Sequence, residues 1–201
     1  MWHLREAEGQ TDAARRSSLE EAFAFLGTAD ELHAGRALET DDQERKFLRL
    51  VARGSASEEL LDVGLKLDQM DFVEARALLL ADWASQIIAN GPETLHAQGG
   101  ALMHCALTFL GRVELRRGER TKAVELLARS EGLGHGSEEI KVLGPYLALA
   151  QELADAGERE AVVHYLTAWS GTGSLLKAHW DGWIHAASIG GPIHLSPRRD
   201  T

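Results

Sequence analysis

Residues 110–127 read LGRVELRRGERTKAVELL, residues 149–166 read LAQELADAGEREAVVHYL, and the second stretch lies over the first without a gap. In each, a small residue (Gly111 or Ala150) precedes a glycine (Gly118 or Gly157) by seven positions, and a small or apolar side chain (Ala123 or Val162) follows five later. Apolar positions recur at three- and four-residue steps: Ala106, Phe109, Leu110 and Val113, then Val124, Leu127 and Ala128, then Leu147, Ala150 and Leu153. That period belongs to helices buried along one stripe. Two stripes joined by glycine, which tolerates the positive φ of a tight reversal, make an antiparallel helical hairpin. A weaker third copy runs from Leu61 through Asp71-Phe-Val-Glu-Ala75 to Leu79. The copies stand 39 and 48 residues apart, so the array is irregular.

Outward from these hairpins, the same period predicts helices over 17–26, 29–38, 41–53, 56–68, 72–89, 95–117, 120–130, 138–156, 158–169 and 173–187. Strand alternation is absent. Ser18-Leu-Glu-Glu21, Thr28-Ala-Asp-Glu31 and Ser55-Ala-Ser-Glu58 each set a hydroxyl three residues before a glutamate, the spacing of a capping box. Gly54, Gly91, Gly118, Gly157 and Gly171 fall where helix ends or short turns are expected. After Ser188 the helical period stops. The expected organisation is an N-terminal helical segment at 1–55, helical repeats with a capping C-terminal helix at 56–188, and an irregular tail at 189–201.

With 201 residues the chain can bury roughly 70% of its unfolded surface without a staple. Cys105 is the single cysteine, which excludes an internal disulfide and a cysteine-based zinc cluster and fits a reducing compartment. The first residues carry charge where a secretion signal needs an apolar run, and no stretch approaches the ~20 apolar residues of a membrane span. A cytoplasmic protein with no membrane contact is expected. Net charge is −10, and the densest basic cluster (Arg112, Arg116, Arg117, Arg120, Lys122) is interleaved with Glu114 and Glu119. Nucleic-acid binding rests on clustered Lys and Arg and is disfavoured.

The hairpin frame resembles the tetratricopeptide repeat, which places Leu-Gly on its first helix and Ala on its second. Over residues 60–195 the chain is further similar to a group of bacterial tetratricopeptide-repeat proteins with no assigned activity. The strings that carry this are Gly100 to Arg112, Leu126 to Ser130, Gly136-Ser137, Leu143-Gly144-Pro145, Leu149 to Leu153 and Gly157 to Leu166. Trp180-Asp181-Gly-Trp183-Ile184 matches that group's last helix; the tail, Gly190-Gly-Pro-Ile-His194, departs from it. The resemblance implies an all-α, irregular tetratricopeptide-like array of antiparallel hairpins.

No motif for chemistry stands out. His96 and His104 are eight apart and His179 and His185 six apart, with neither HExxH nor Cys-x-x-Cys present, so no metal is expected. Gly-x-Ser-x-Gly is missing, Cys105 lies in an apolar helix, and Gly171-Thr-Gly-Ser174 lacks the Lys of a phosphate loop. No catalytic residue and no cofactor are expected. The leading function is a protein–protein interaction or scaffold module that takes a partner peptide or helix in a groove lined by the first helices. Its expected contacts are Arg112 and Arg116, placed to clamp a carboxylate, His104, and the aromatic pair Trp180 and Trp183. Two alternatives stay open: an enzyme or biosynthetic accessory protein with a pocket near His104, and a protein that self-associates, as a homodimer, through its Trp-rich end.

Overall fold

The computed structural model describes residues 12–37, 42–171 and 177–195. Of these, 80% are α-helical, and none of the described residues forms a strand. In chain order the helices are α1 (Asp12–Ala37), α2 (Gln43–Lys66), α3 (Met70–Asn90), α4 (His96–Arg116), α5 (Arg120–Arg129), α6 (Glu138–Leu143), α7 (Ala148–Asp155), α8 (Arg159–Ser170) and α9 (Lys177–Ser188). No helix among the described residues is long and apolar enough to cross a membrane.

Three turns, α2–α3, α4–α5 and α7–α8, are built alike. The residue at the reversal has positive φ: Asp68 at 57°, Gly118 at 85° and Gly157 at 94°. In each, that residue's N–H donates to the carbonyl three back (Leu65, Leu115, Ala154), and the next N–H donates five back (Gly64, Glu114, Leu153). This pair of bonds satisfies the carbonyls orphaned at a helix end. The next residues, Gln69, Glu119 and Glu158, share φ between −81° and −85° and ψ between 50° and 62°. Counted from these turns, Leu61, Gly111 and Ala150 sit seven before and Val73, Ala123 and Val162 five after, all buried. Aligned on these turns, α3 is shifted two residues from the sequence alignment of the third copy, because Asp68 stands where a glycine marks the other turns.

Elsewhere the helix ends differ from expectation. The pairs 17–26 with 29–38 and 41–53 with 56–68 are each continuous. Thr28, read as a cap, bonds backward within its helix instead, its Oγ1 donating to the Ala24 carbonyl at 3.0 Å; within α2, Ser57 Oγ likewise donates to the Arg53 carbonyl at 2.9 Å. That local bond competes with capping. Gly54 ends nothing; a β-carbon there would stand 2.7 Å from both methyl groups of Leu102 and 3.1 Å from Leu80. It is small because α2 crosses α3 and α4 there. Conversely, the helix predicted at 138–156 breaks between α6 and α7. Gly144 has φ 76° and Pro145 follows, a residue that disfavours helix before it. Ser137 caps α6, its hydroxyl accepting from the Ile140 N–H at 3.1 Å.

Two apolar clusters fill the interior. One joins α2, α3 and α4 through Leu61, Leu65, Val73, Leu80, Trp83, Ile87, Phe109 and Val113. The other joins α5, α7, α8, α9 and the segment after it through Leu127, Leu149, Leu153, Tyr165, Trp169, Trp180, Ile193 and Leu195. Ile193 and Leu195, in the irregular segment after α9, are both buried. Leu175 and Leu176, expected in the last helix, and residues 1–11 and 196–201 lie outside the described residues.

Candidate partner-binding face

One frame position, six before each turn, carries Asp62 on α2, Arg112 on α4 and Gln151 on α7. Each reaches toward the next layer. Asp62 Oδ1 accepts from Arg112 Nη1 at 3.3 Å, and Arg112 Nε donates to Glu152 Oε1 on α7 at 2.8 Å. Gln151 pairs with the extended segment after α9: its Nε2 donates to the Ile193 carbonyl at 3.0 Å, and its Oε1 accepts from the Leu195 N–H at 2.7 Å. Lys66 closes on Asp62 Oδ2 at 2.6 Å, and Tyr146, between α6 and α7, accepts from Arg112 Nη1 through its hydroxyl at 3.3 Å. A polar seam therefore runs across α2, α4 and α7.

Its electrostatics follow from burial and partners. Burial alone would raise the Asp62 pKa, but the hydrogen bond and charge of Lys66, and then Arg112, outweigh it and hold the carboxyl below its ordinary value. Burial opposes the charge on Arg112, while Tyr146, Glu152 and Asp62 raise its pKa. Burial and Asp62 push the Tyr146 phenol up, so it stays a neutral hydroxyl. The seam meets solvent at Lys66, Glu152 and Arg116, whose side chains are about a third exposed.

His104 lies deeper on α4 and is 2% exposed. Its Nδ1 is 3.0 Å from the Ser130 carbonyl, which can only accept, so Nδ1 carries the proton. Its Nε2 accepts the Tyr146 N–H at 3.0 Å. The Trp169 ring meets it edge-on at 5.2 Å, and Tyr165 lies parallel at 6.3 Å. Burial depresses the pKa of the neighbouring His135, whose ring packs on Trp169 at 4.2 Å. The imidazole bridges two backbone segments, the end of α5 and the stretch before α7.

The five residues expected to touch a partner fall in different settings. Arg112 is buried in internal ion pairs, so its guanidinium is engaged by the chain's own carboxylates. Arg116 stands at the surface, its Nη1 donating to the Leu65 carbonyl and lying 3.6 Å from Asp68. His104 is internal, as above. Trp180 is 1% exposed, and Trp183, half-buried, meets it edge-on at 5.4 Å. Three of the five are thus core groups, because helix spacing identifies a shared face without saying what covers it. Sequence reasoning missed Asp62, Glu152 and Gln151. For Asp62 and Gln151 the signal lay in the frame itself, one residue beyond Leu61 and Ala150 as Arg112 is beyond Gly111; Glu152 stands one further on.

Among the described residues, no three His, Cys, Asp or Glu side chains come together as a metal site. The described residues define an all-α fold with an ion-paired seam across α2, α4 and α7. No protein-family model, curated protein or solved structure matches the chain.

Proposed function

We propose that this chain is a cytoplasmic tetratricopeptide-like binding module whose first helices, α2, α4 and α7, present a face to a partner peptide, and whose α9 caps the array. The reading is carried by one observation: three turns of the same hydrogen-bond pattern place Asp62, Arg112 and Gln151 in register on successive first helices. Repeated layers that contact only their neighbours generate extended surfaces suited to extended ligands. Lys66, Arg116 and Glu152 supply its solvent-facing charge, with both signs present, which favours a peptide of mixed charge over a polyanion.

Catalysis near His104 is the weaker reading, since both ring nitrogens already serve backbone groups. The proposal is tested by cross-linking mass spectrometry on complexes formed by the full chain. Cross-links should concentrate on Lys66 and its neighbours along α2 and α4. Cross-links confined to the second helices α3, α5 and α8 would overturn it.

A further inference from the structure

Residues 191–195 have the chemistry of a bound peptide. After α9 a fourth turn of the shared pattern forms, with Gly190 at φ 75° and the Gly191 N–H donating to the Ala186 carbonyl at 2.9 Å. No helix follows; the chain runs on from Pro192 to Leu195 with neither helix nor strand. Ile193 and Leu195 are buried while His194 between them is exposed, the two-residue period of an extended strand. Three hydrogen bonds hold the backbone. Two come from the Gln151 amide, which takes the carbonyl of one residue and the N–H of the second after it. The third runs from Arg159 Nη1 to the Gly191 carbonyl at 2.8 Å.

None of the three bonds involves a side chain of the segment. The site therefore selects an extended backbone by hydrogen bonding and an apolar–polar–apolar pattern by burial, the division of labour found where proteins bind extended peptides. Position matters as well. Asp62 and Arg112 use this frame position to reach the next first helix, whereas Gln151 reaches the irregular segment after α9. The segment thus fills the face where a further layer of the array would begin.

We propose that the α7–α8 surface around Gln151 and Arg159 is a docking site for an extended partner peptide of apolar–polar–apolar pattern, and that residues 191–195 are its built-in occupant, displaced when the partner binds. This rests on the peptide-binding reading above and assigns it a site. A resident segment lowers apparent affinity by the fraction of time the site is closed. Loosening it should therefore strengthen binding in trans.

The probe is a fluorescent peptide spanning Ile189 to Pro197, titrated into the full-length chain. Against the parent, the Ile193→Ser/Leu195→Ser variant should bind it about tenfold more tightly. Adding Gln151→Ala should reverse most of that gain, and a peptide with Asp at both apolar positions should not bind. Hydrogen exchange on the parent removes any dependence on the variant folding: excess peptide should speed exchange of the Leu195 amide. A folded double variant with no affinity for the peptide, affinity indifferent to Gln151→Ala, or no change in Leu195 exchange would each overturn the proposal. A Gln151-dependent dimer formed by tail exchange would also overturn it, by assigning the site to a second copy. Cross-links along α2 and α4 with a natural partner would survive all of these, so the two readings fail separately.

Discussion

Gly100 on α4 and Gly134 in the loop after α5 meet backbone to backbone. A β-carbon on Gly100 would stand 2.6 Å from Gly134 N, and one on Gly134 would stand 2.4 Å from Ala101 N. The contact seats the loop that carries the Ser130 carbonyl and His135 over His104 and Trp169. Gly→Ala inside a helix ordinarily gains up to about 1 kcal/mol. Here the sign reverses, because the obstacle is main chain and has no rotamer to escape into. Gly100→Ala should cost about 1–3 kcal/mol in urea denaturation. A variant at least as stable as the parent refutes this packing.

Gly111 gives a related prediction with a different neighbour. The hairpin alignment suggests that it faces α5, yet a β-carbon there would lie 2.3 Å from Leu149 Cδ2 on α7. The glycine thus sets the spacing between successive first helices, α4 and α7, and not that within its own hairpin. Gly111→Leu should destabilise by about 1–3 kcal/mol through overpacking. Because Leu149 is a side chain and can be trimmed, Leu149→Ala should recover part of the loss in a Gly111→Leu background. Independent, additive costs in a double-mutant cycle would show that the two do not touch.

These glycines mark where sequence reading succeeded and stopped. Turns and helical period were legible, because Gly118 and Gly157 must adopt positive φ and apolar residues must share a stripe. The α2–α3 copy was blurred, since Asp68 takes the same conformation without announcing it. Gly54 looks like helix punctuation in one dimension and Gly111 like a close approach within one hairpin, while the reason for each is a neighbour far along the chain. The seam was half visible: Arg112 stood out as a charge on the first-helix face, but Asp62, fifty residues away in another hairpin, could be paired with it only by the packing of α2 on α4. The role of Ile193 and Leu195 had no helical period to betray it.

The Asp62–Arg112 pair makes stability depend on pH with a definite sign. The Asp62 pKa is lowered in the fold, so its contribution is present above the unfolded value, ~3.9, and is lost as pH falls through the folded value. The parent's advantage over Asp62→Asn in melting temperature should be full at neutral pH and shrink below about pH 4. At neutral pH, Arg112→Met leaves Glu152 and Tyr146 without their buried partner and should cost about 3 kcal/mol. A constant gap between parent and Asp62→Asn down to pH 2 would remove Asp62 from the account.

His104 should behave as a structural bridge. Replacing it with Leu keeps the volume close but leaves the Ser130 carbonyl and the Tyr146 N–H without the ring nitrogens they use. Each buried polar group left unmade costs about 1–3 kcal/mol, so His104→Leu should lose about 2–5 kcal/mol. Nitrogen-15 NMR of the parent should show Nδ1 protonated and Nε2 bare. A stable His104→Leu protein would return His104 to the list of groups held in place for function.

The final helix separates two meanings of an aromatic pair. Trp180 and Trp183 sit three residues apart on α9, with their rings nearly perpendicular at 88°. If they anchor a partner, truncating Trp180 should abolish binding and leave stability intact. Their burial argues otherwise: Trp180 is 1% exposed within the cluster that holds Leu166 and Trp169 of α8, while Trp183 lies at its edge with His179 stacked on it. A buried Trp hides on the order of 200 Å², about 5 kcal/mol at 25 cal/mol/Å². Trp180→Ala should therefore cost about 3–5 kcal/mol, comparable with a marginal domain's whole stability, and Trp183→Ala distinctly less. Removing α9 altogether by ending the chain at Gly171 uncovers Leu166 and Trp169, and the fragment should dimerise or aggregate in light scattering, as arrays stripped of a terminal layer do. A monomeric 1–171 fragment that melts with the parent would mean that α9 covers nothing essential, and the Trp pair would then become the better candidate for the recognition surface.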